Sequence, residues 1–263
     1  MSTATPPPFT TRPEIRGTFG VAASTHWLAS QTAMGMLERG GNAFDGAFAA
    51  GMVLQVAEPH MNGPGGDVPM IVQRAGEERP TVICGQGPAP KAATIEHFTA
   101  LGLEVIPGTG MMSSCIPGAF DAWALMLRDY GTMTIREVLE PAIGYAEKGC
   151  PIPYSTCQTI DAVKDMIAEH WPSTAEIFLP GGAVPKPQQL YRNPALAETW
   201  KRVLKEAEAA GSDRVAQIDA ARAAWYDGFV AEEIARFCRD EPHMDSTGRK
   251  NAGLLTMEDM HGW

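Results

Sequence analysis

The side chains best suited to chemistry lie in one glycine-rich loop, residues 58–67. Three titratable groups flank its glycines and could form an acid/base group: Glu58, His60 and Asp67. The same groups could instead hydrogen bond to the loop backbone, which is the more common role of polar side chains beside a turn. We therefore take five loop residues as site candidates without assigning them a reaction: His60, Asn62, Gly65, Gly66 and Asp67.

No other pattern in the sequence points to a reaction. It contains no Gly-x-x-x-x-Gly-Lys, no His-Glu-x-x-His and no Gly-x-Ser-x-Gly. The six histidines show no metal-ligand spacing, and the five cysteines form no Cys-x-x-Cys pair, so we expect free buried thiols and no metal site. The residue patterns alone leave the function open.

The loop follows a helix predicted over residues 43–57. Asn42 can cap this helix, and Asp45 lies in its first turn, where negative charge suits the helix dipole. The helix is apolar on nearly every side, which is typical of a helix covered from several directions, and we expect the sheets of a partner chain to provide that cover. Pro59 ends the helix, because proline disfavours helical geometry at the residue before it.

The remaining sequence predicts short strands among many helices. Residues 20–24 form a predicted inner strand, and residues 68–73 and 81–84 form a predicted hairpin that leads into a shaped loop at 85–90. The other helices are predicted at 26–39, 94–101, 119–130, 134–148, 155–171, 193–210, 213–226 and 228–239, with a proline- and glycine-rich surface segment at 172–192. Residues 253–259 resemble a strand that leads into a new helix close to Trp263, so we expect this chain to be one piece of a longer product.

Composition narrows the class of protein. The 263 residues are 44% hydrophobic and 20% charged, which is typical of a folded globular chain. A net charge of −10 with no cluster of Lys and Arg argues against a nucleic-acid surface. No stretch is long and apolar enough to span a membrane, and the first sixteen residues are not a secretory signal. We expect a cytoplasmic protein with a flexible tail over residues 1–19 and one domain over residues 20–263.

A series of short motifs runs in order along the chain. They are Val21-Ala22-Ala23-Ser24, Gly40-Gly41-Asn42-Ala43 with Asp45, Glu58-Pro59-His60 with Gly63 and Gly65-Gly66, Ala89-Pro90, Pro117-Gly118, Tyr130-Gly131-Thr132, Glu140-Pro141-Ala142, Gly149 with Pro151-Ile152, and Leu254-Leu255-Thr256 with Glu258-Asp259. Together they span about residues 20–260. In this order they resemble the large subunit of the gamma-glutamyltranspeptidase family, within the N-terminal nucleophile (Ntn) hydrolases.

This resemblance implies an α/β fold, a four-layer αββα sandwich with two central sheets, to which this chain gives the large-subunit helices and part of the sheets. The family makes one precursor that cuts itself and exposes a threonine at the start of a small subunit. That threonine attacks an amide carbonyl, with its own α-amine as the base. The resemblance therefore implies a small-subunit partner, no catalytic residue in this chain and no cofactor.

Two departures from the family pattern bear on the substrate. Relatives that act on glutamyl compounds hold the substrate α-carboxylate with an arginine, and Gln86 stands in the matching segment between Gly85 and Gly87. A bidentate arginine–carboxylate contact contributes about 2–3 kcal/mol, whereas glutamine cannot neutralise the charge. Asp67 follows Gly65-Gly66 where transpeptidases often carry another glycine. We take Gly85, Gln86 and Gly87 as substrate-binding candidates and expect weaker binding of gamma-glutamyl groups.

Three hypotheses follow. The chain belongs to an amide hydrolase or acyltransferase acting on gamma-glutamyl compounds such as glutathione, or to a relative with a different acyl group, such as an oxamate-like small amide or a cephalosporin-acylase-like side chain. A non-catalytic relative is the third. Two heterodimers could pair further, which the sequence leaves open.

Overall fold

The computed structural model describes residues 14–263, and most of these residues are helical. Its helices are α1 (Trp27–Glu38), α2 (Ala43–Ala57), α3 (Ile95–Ala100), α4 (Ala119–Tyr130), α5 (Ile135–Lys148), α6 (Tyr154–His170), α7 (Pro172–Phe178), α8 (Pro194–Ala209), α9 (Arg214–Tyr226), α10 (Phe229–Asp240) and α11 (Met257–His261). Every helix predicted from the sequence is present, with ends shifted by at most one residue. The tail predicted over residues 1–19 lies largely outside the described residues.

Strands are short and pair in twos within the described residues. They are β1 (Val68–Val72) with β2 (Thr81–Gly85), β3 (Cys150–Pro151) with β4 (Leu190–Tyr191), and β5 (His243–Met244) with β6 (Lys250–Asn251). The hairpin β1–β2 was predicted and is antiparallel, with Val68 opposite Gly85. Met70 and Val72 face the core, whereas Ile71 and Val82 lie opposite each other on the open face, 78% and 68% exposed.

Helix α2 lies at the centre of the core. Phe48, Met52 and Val53 are fully buried, and the helix packs against α1, α4 and α5. The expectation that a partner chain covers this helix is therefore wrong for most of its surface, because helices of the same chain already do so. One stripe at helical spacing stays partly or fully exposed: Ala43, Ala47, Ala50 and Leu54.

Asp45 fixes the start of α2. Its carboxylate is fully buried and accepts hydrogen bonds from the Asn42 N–H (2.7 Å), the Thr132 N–H (2.9 Å), the Thr132 hydroxyl (2.7 Å) and the Met133 N–H (3.0 Å). A β-carbon at Gly131 would lie 2.6 Å from this carboxylate, so only glycine leaves room for it. The N-cap predicted at Asn42 is confirmed, and with Asp45 it forms a capping box that also ties α2 to the loop before α5.

Three stacked aromatic rings hold the outer helices against this core. Phe120 of α4 stacks on Trp225 of α9 with centroids 4.7 Å apart, and Trp200 of α8 stacks on the same indole at 5.1 Å. All three side chains are buried. Aromatic pairs at these separations add stabilisation beyond their buried area, so the stack holds α4 against α8 and α9.

Three sequence predictions are wrong. Residues 20–24 are not a strand, because no other strand of the described chain pairs with them. Residues 253–256 are likewise unpaired, and only the helix start at Thr256 is observed. The segment 172–192 is more ordered than predicted: it forms α7 and β4 and buries Leu179 and Tyr191 in a second, smaller core under α6.

Candidate functional site

A cleft of about 360 Å³ opens between the end of α2, the glycine-rich loop and the start of α4. All five loop candidates line it: His60, Asn62, Gly65, Gly66 and Asp67. Gly51, Leu54, Gln55 and Trp123 complete much of its wall. The structure therefore brings together the residues that the sequence grouped, and it adds side chains from two helices.

Close backbone contacts set the shape of this cleft. A β-carbon at Gly51 would lie 2.6 Å from the Trp123 ring, so glycine at this position lets the indole lie against α2. The first N–H of α4, on Ala119, donates to the Gly66 carbonyl at 3.0 Å. This bond satisfies one of the free N–H groups at the helix start and fixes the loop to α4.

The three titratable groups of the loop bond to other parts of the chain rather than to one another. Glu58 is buried and accepts a hydrogen bond from the Thr25 hydroxyl. Nδ1 of His60 lies 2.8 Å from the hydroxyl of Thr156 on α6. Asp67 accepts a hydrogen bond from Gln86. Neither role considered from the sequence is observed within residues 14–263. The three groups form no joint acid/base group, and their partners are side chains outside the loop instead of the loop backbone.

Gln86 and Asp67, two residues singled out from the sequence, meet directly. Nε2 of Gln86 donates to Oδ2 of Asp67 at 3.2 Å, and both side chains are exposed. Asp67 lines the cleft, so this hydrogen bond places Gln86 at its edge. The hairpin register explains the contact, because residues 67 and 86 lie one position beyond the pair Val68–Gly85.

Gly85 and Gly87 pack against α4 and the residues that precede it. A β-carbon at Gly87 would lie 1.8 Å from the Ile116 carbonyl oxygen, and one at Gly85 would lie 2.6 Å from Ala122. The Ile116 N–H donates to the Pro88 carbonyl at 3.0 Å. These two glycines thus let the loop pack closely, which fixes the backbone on either side of Gln86.

The C-terminal helix holds the far end of the same loop. The N–H of Lys91 donates to Oδ1 of the buried Asp259 at 2.9 Å, and the Lys91 ammonium lies 2.7 Å from Glu258. Burial disfavours the charged form of Asp259, but the hydrogen bonds from Lys91 and Thr256 outweigh it and lower the pKa of this carboxyl. The loop 85–91 is therefore supported along its whole length.

Two residues of the wall were missed by sequence reasoning. Gln55 is 5% exposed and its Oε1 has no hydrogen-bond partner among the described residues, while Trp123 supplies a flat apolar side. A lone amide within the otherwise apolar second half of α2 was the available signal for Gln55. A buried amide without a partner is costly, so the position of Gln55 in the wall suits a binding surface.

The arrangement can bind and orient a small polar group. The described lining residues include one carboxylate, Asp67, and no lysine or arginine. Within residues 14–263, no cluster of three or more His, Cys, Asp or Glu side chains has the geometry of a metal site, and no helix combines the length and apolar character needed to cross a bilayer. The five cysteines are free, and burial raises the pKa of Cys150 to about 11. The prediction that the thiols are buried is wrong for Cys84 and Cys115, which are exposed.

Comparison with known proteins gives the resemblance an independent test. A family model described as Gamma-glutamyltranspeptidase matches residues 29–263. The glutathione hydrolase-like YwrD proenzyme of Bacillus subtilis is 32% identical over 93% of this chain, and the oxamate amidohydrolase proenzyme of Klebsiella pneumoniae is 34% identical over 83%. The matched region covers 42% and 39% of those relatives, so this chain spans about two fifths of their length.

Solved structures show the same fold. LmbA2991HD is 50% identical and superimposes with a TM-score of 0.92 over 97% of this chain and 43% of its own. The gamma-glutamyltranspeptidase of Helicobacter pylori is 26% identical with a TM-score of 0.78, over 94% of this chain and 65% of its own. The fold predicted from the resemblance, that of the Ntn hydrolases, is confirmed by these likenesses.

Proposed function

Because this chain belongs to the gamma-glutamyltranspeptidase family, we propose that it forms the large-subunit part of an amide hydrolase or acyltransferase and supplies one wall of the acyl-group site. One observation carries this proposal. The loop that resembles the family's carboxylate-binding segment packs closely against α4 through its glycines, and its central side chain, Gln86, reaches the cleft through Asp67.

The reaction that follows needs a nucleophile outside residues 14–263. A threonine at the start of a small subunit attacks the amide carbonyl of the substrate, and its own α-amine takes the proton. The amine of the substrate leaves, and the resulting acyl-enzyme passes its acyl group to water or to a second amine. The role of this chain is to bind and orient the acyl group, which lowers the entropy lost on reaching the transition state.

Gamma-glutamyl compounds such as glutathione are the default acyl donors. Gln86 can give such a donor one or two neutral hydrogen bonds but no neutralising charge, so a loss of about 2–3 kcal/mol in carboxylate binding is expected relative to arginine. This supports the second candidate, the same chemistry on a different acyl group. The relatives named as an oxamate amidohydrolase and as acylases show that the family includes such enzymes.

The test begins with the full-length precursor. We expect it to cut itself into two fragments that stay together without denaturant, with a threonine at the start of the smaller one. Replacing that threonine by alanine should abolish both cleavage and turnover. A precursor that stays intact and hydrolyses none of a panel of gamma-glutamyl, short acyl and oxamate-like amides would favour the non-catalytic hypothesis instead.

Substitutions at Gln86 then test the role of the loop. We expect Gln86→Arg to raise kcat/KM for a gamma-glutamyl anilide by about 10-fold or more, because it restores the bidentate contact. Gln86→Ala is the matched control, which removes the side chain without adding a charge. Strong turnover of the gamma-glutamyl anilide that is unchanged in Gln86→Ala would contradict the assignment of this loop to the acyl group.

A further inference from the structure

We propose that Asp67 and Gln86 act as one unit, an anionic subsite that selects acyl groups carrying an ammonium or another hydrogen-bond donor and disfavours acyl groups carrying a carboxylate. This inference rests on the proposed function, since it specifies the substrate class of that same site. It goes further than the missing arginine, because it assigns to Asp67 an active role in the choice of substrate.

The geometry defines which groups the pair can offer. A carboxylate only accepts hydrogen bonds, so the 3.2 Å contact fixes the Gln86 amide with an N–H toward Asp67. The amide carbonyl of Gln86 then points elsewhere, with the Cys84 thiol 3.8 Å from it. One Asp67 oxygen and the Gln86 carbonyl remain as acceptors at the edge of the cleft, and one N–H of Gln86 is already occupied.

The charge of Asp67 has no cationic partner in the described chain. Asp67 takes part in no salt bridge within residues 14–263; its bonding partner is the neutral Gln86. Lys91 is the single lysine or arginine between residues 80 and 127, and its ammonium is 2.7 Å from Glu258. The nearest basic residue along the loop is therefore already neutralised.

The cleft holds one more unpaired acceptor further inside. Gln55 lines the same wall and its buried Oε1 has no partner among the described residues. His60 is hydrogen bonded to the Thr156 hydroxyl, and the described lining residues include no lysine or arginine. A carboxylate entering this cleft would meet uncompensated negative charge, whereas an ammonium would meet an ion-pair partner.

The test uses four 4-nitroanilides that share one four-carbon acyl skeleton and differ in charge. The gamma-glutamyl compound carries an ammonium and a carboxylate, the 4-aminobutyryl compound only the ammonium, the glutaryl compound only the carboxylate, and the butyryl compound neither. The measured quantity is the ratio of kcat/KM for 4-aminobutyryl to that for glutaryl anilide, in the self-processed full-length enzyme. We expect a ratio of about 5 or more that falls as salt is added, because Asp67 is exposed and its charge is screened.

Substitutions test whether Asp67 and Gln86 cause the preference for the 4-aminobutyryl anilide. Asp67→Asn keeps the hydrogen-bonding shape but removes the charge, and it should bring the ratio close to 1. Gln86→Arg should invert the ratio, because the guanidinium pairs with Asp67 and still offers donors to a carboxylate. Glu78→Gln is the matched control, since it removes an exposed carboxylate from the turn of the same hairpin, and it should leave the ratio unchanged.

The outcomes separate this inference from the proposed function. The inference is overturned, and the proposed function stands, if the enzyme cleaves the butyryl anilide but shows no preference between the 4-aminobutyryl and glutaryl anilides. The same holds if such a preference exists and Asp67→Asn leaves it unchanged. A preference for the glutaryl anilide overturns it as well. If the self-processed enzyme cleaves none of the four compounds but hydrolyses an oxamate-like amide, the inference is overturned and the proposed function stands. If it hydrolyses none of these compounds, both are overturned.

Discussion

The buried carboxylate of Asp45 allows a sharp test of what holds the central helix. Four hydrogen bonds converge on it from Asn42, Thr132 and Met133, and Asp45 takes part in no salt bridge within residues 14–263. We consider Asp45→Asn, which conserves shape and size. The amide would keep one oxygen for the N–H groups of Thr132 and Met133, but its NH₂ would face the N–H of Asn42.

The expected loss follows from those contacts. One buried N–H loses its acceptor and the remaining bonds lose the assistance of a charge, and each such change costs about 1–3 kcal/mol. We therefore expect Asp45→Asn to lower the free energy of unfolding by about 2–4 kcal/mol. Asp45→Ala, which removes all four bonds, should cost more, or prevent folding.

A matched control exists in the same chain. The capping box of α5 joins Thr134 to Glu137 in the same way, but Glu137 is exposed, so water can replace the lost bonds. Glu137→Gln should cost about 0.5 kcal/mol. Equilibrium urea unfolding of the full-length protein, followed by circular dichroism, compares the two. If Asp45→Asn loses no more stability than Glu137→Gln, the carboxylate does not hold α2 in the way described.

Three further predictions concern the site and its supports. Gly87→Ala should disrupt the loop and reduce activity at least 10-fold, because its β-carbon would lie 1.8 Å from a backbone oxygen, whereas Gly65→Ala, with open space, should fold normally in a thermal melt. Burial lowers the pKa of His26 below its usual 6.5, and the nearby charge of Glu58 offsets only part of this shift. Near pH 6 the unfolded chain therefore binds more protons than the folded chain does. The stability contributed by neutral His26 is complete above pH 6.5 and lost as the pH falls toward the folded-state pKa, and in urea titrations His26→Asn should remove that slope. Tyr226→Phe should cost about 1–3 kcal/mol in the same titrations, because the buried phenol bonds to two backbone groups at the start of α4.

Local signals allowed much of this fold to be predicted. Asn42, Thr134 and Asn193 each start a helix with a side chain that accepts a nearby backbone N–H, and such contacts depend on only three or four residues. The strand predicted at residues 20–24 failed for the opposite reason. A strand requires a second strand to pair with, and a run of apolar residues does not show whether the same chain contains that second strand.

The site was predictable in composition but not in its contacts. The sequence grouped the loop candidates correctly because they are adjacent, yet the bond between Asp67 and Gln86 joins residues nineteen positions apart. The register of the hairpin predicts this contact, because both residues lie one position beyond the pair Val68–Gly85. Gln55 was harder to find, because only the packing around α2 shows that its amide oxygen lacks a partner.

The open face of the hairpin has a consequence for the behaviour of this chain on its own. Ile71 and Val82 stand side by side on it, and the free thiol of Cys84 is exposed at the next position on the same face. Exposed apolar strands invite pairing with other chains, so this chain made alone would be prone to aggregation and to oxidative cross-linking. A segment of the same polypeptide that covered this face would be held at about millimolar effective concentration, so intramolecular association would outpace aggregation.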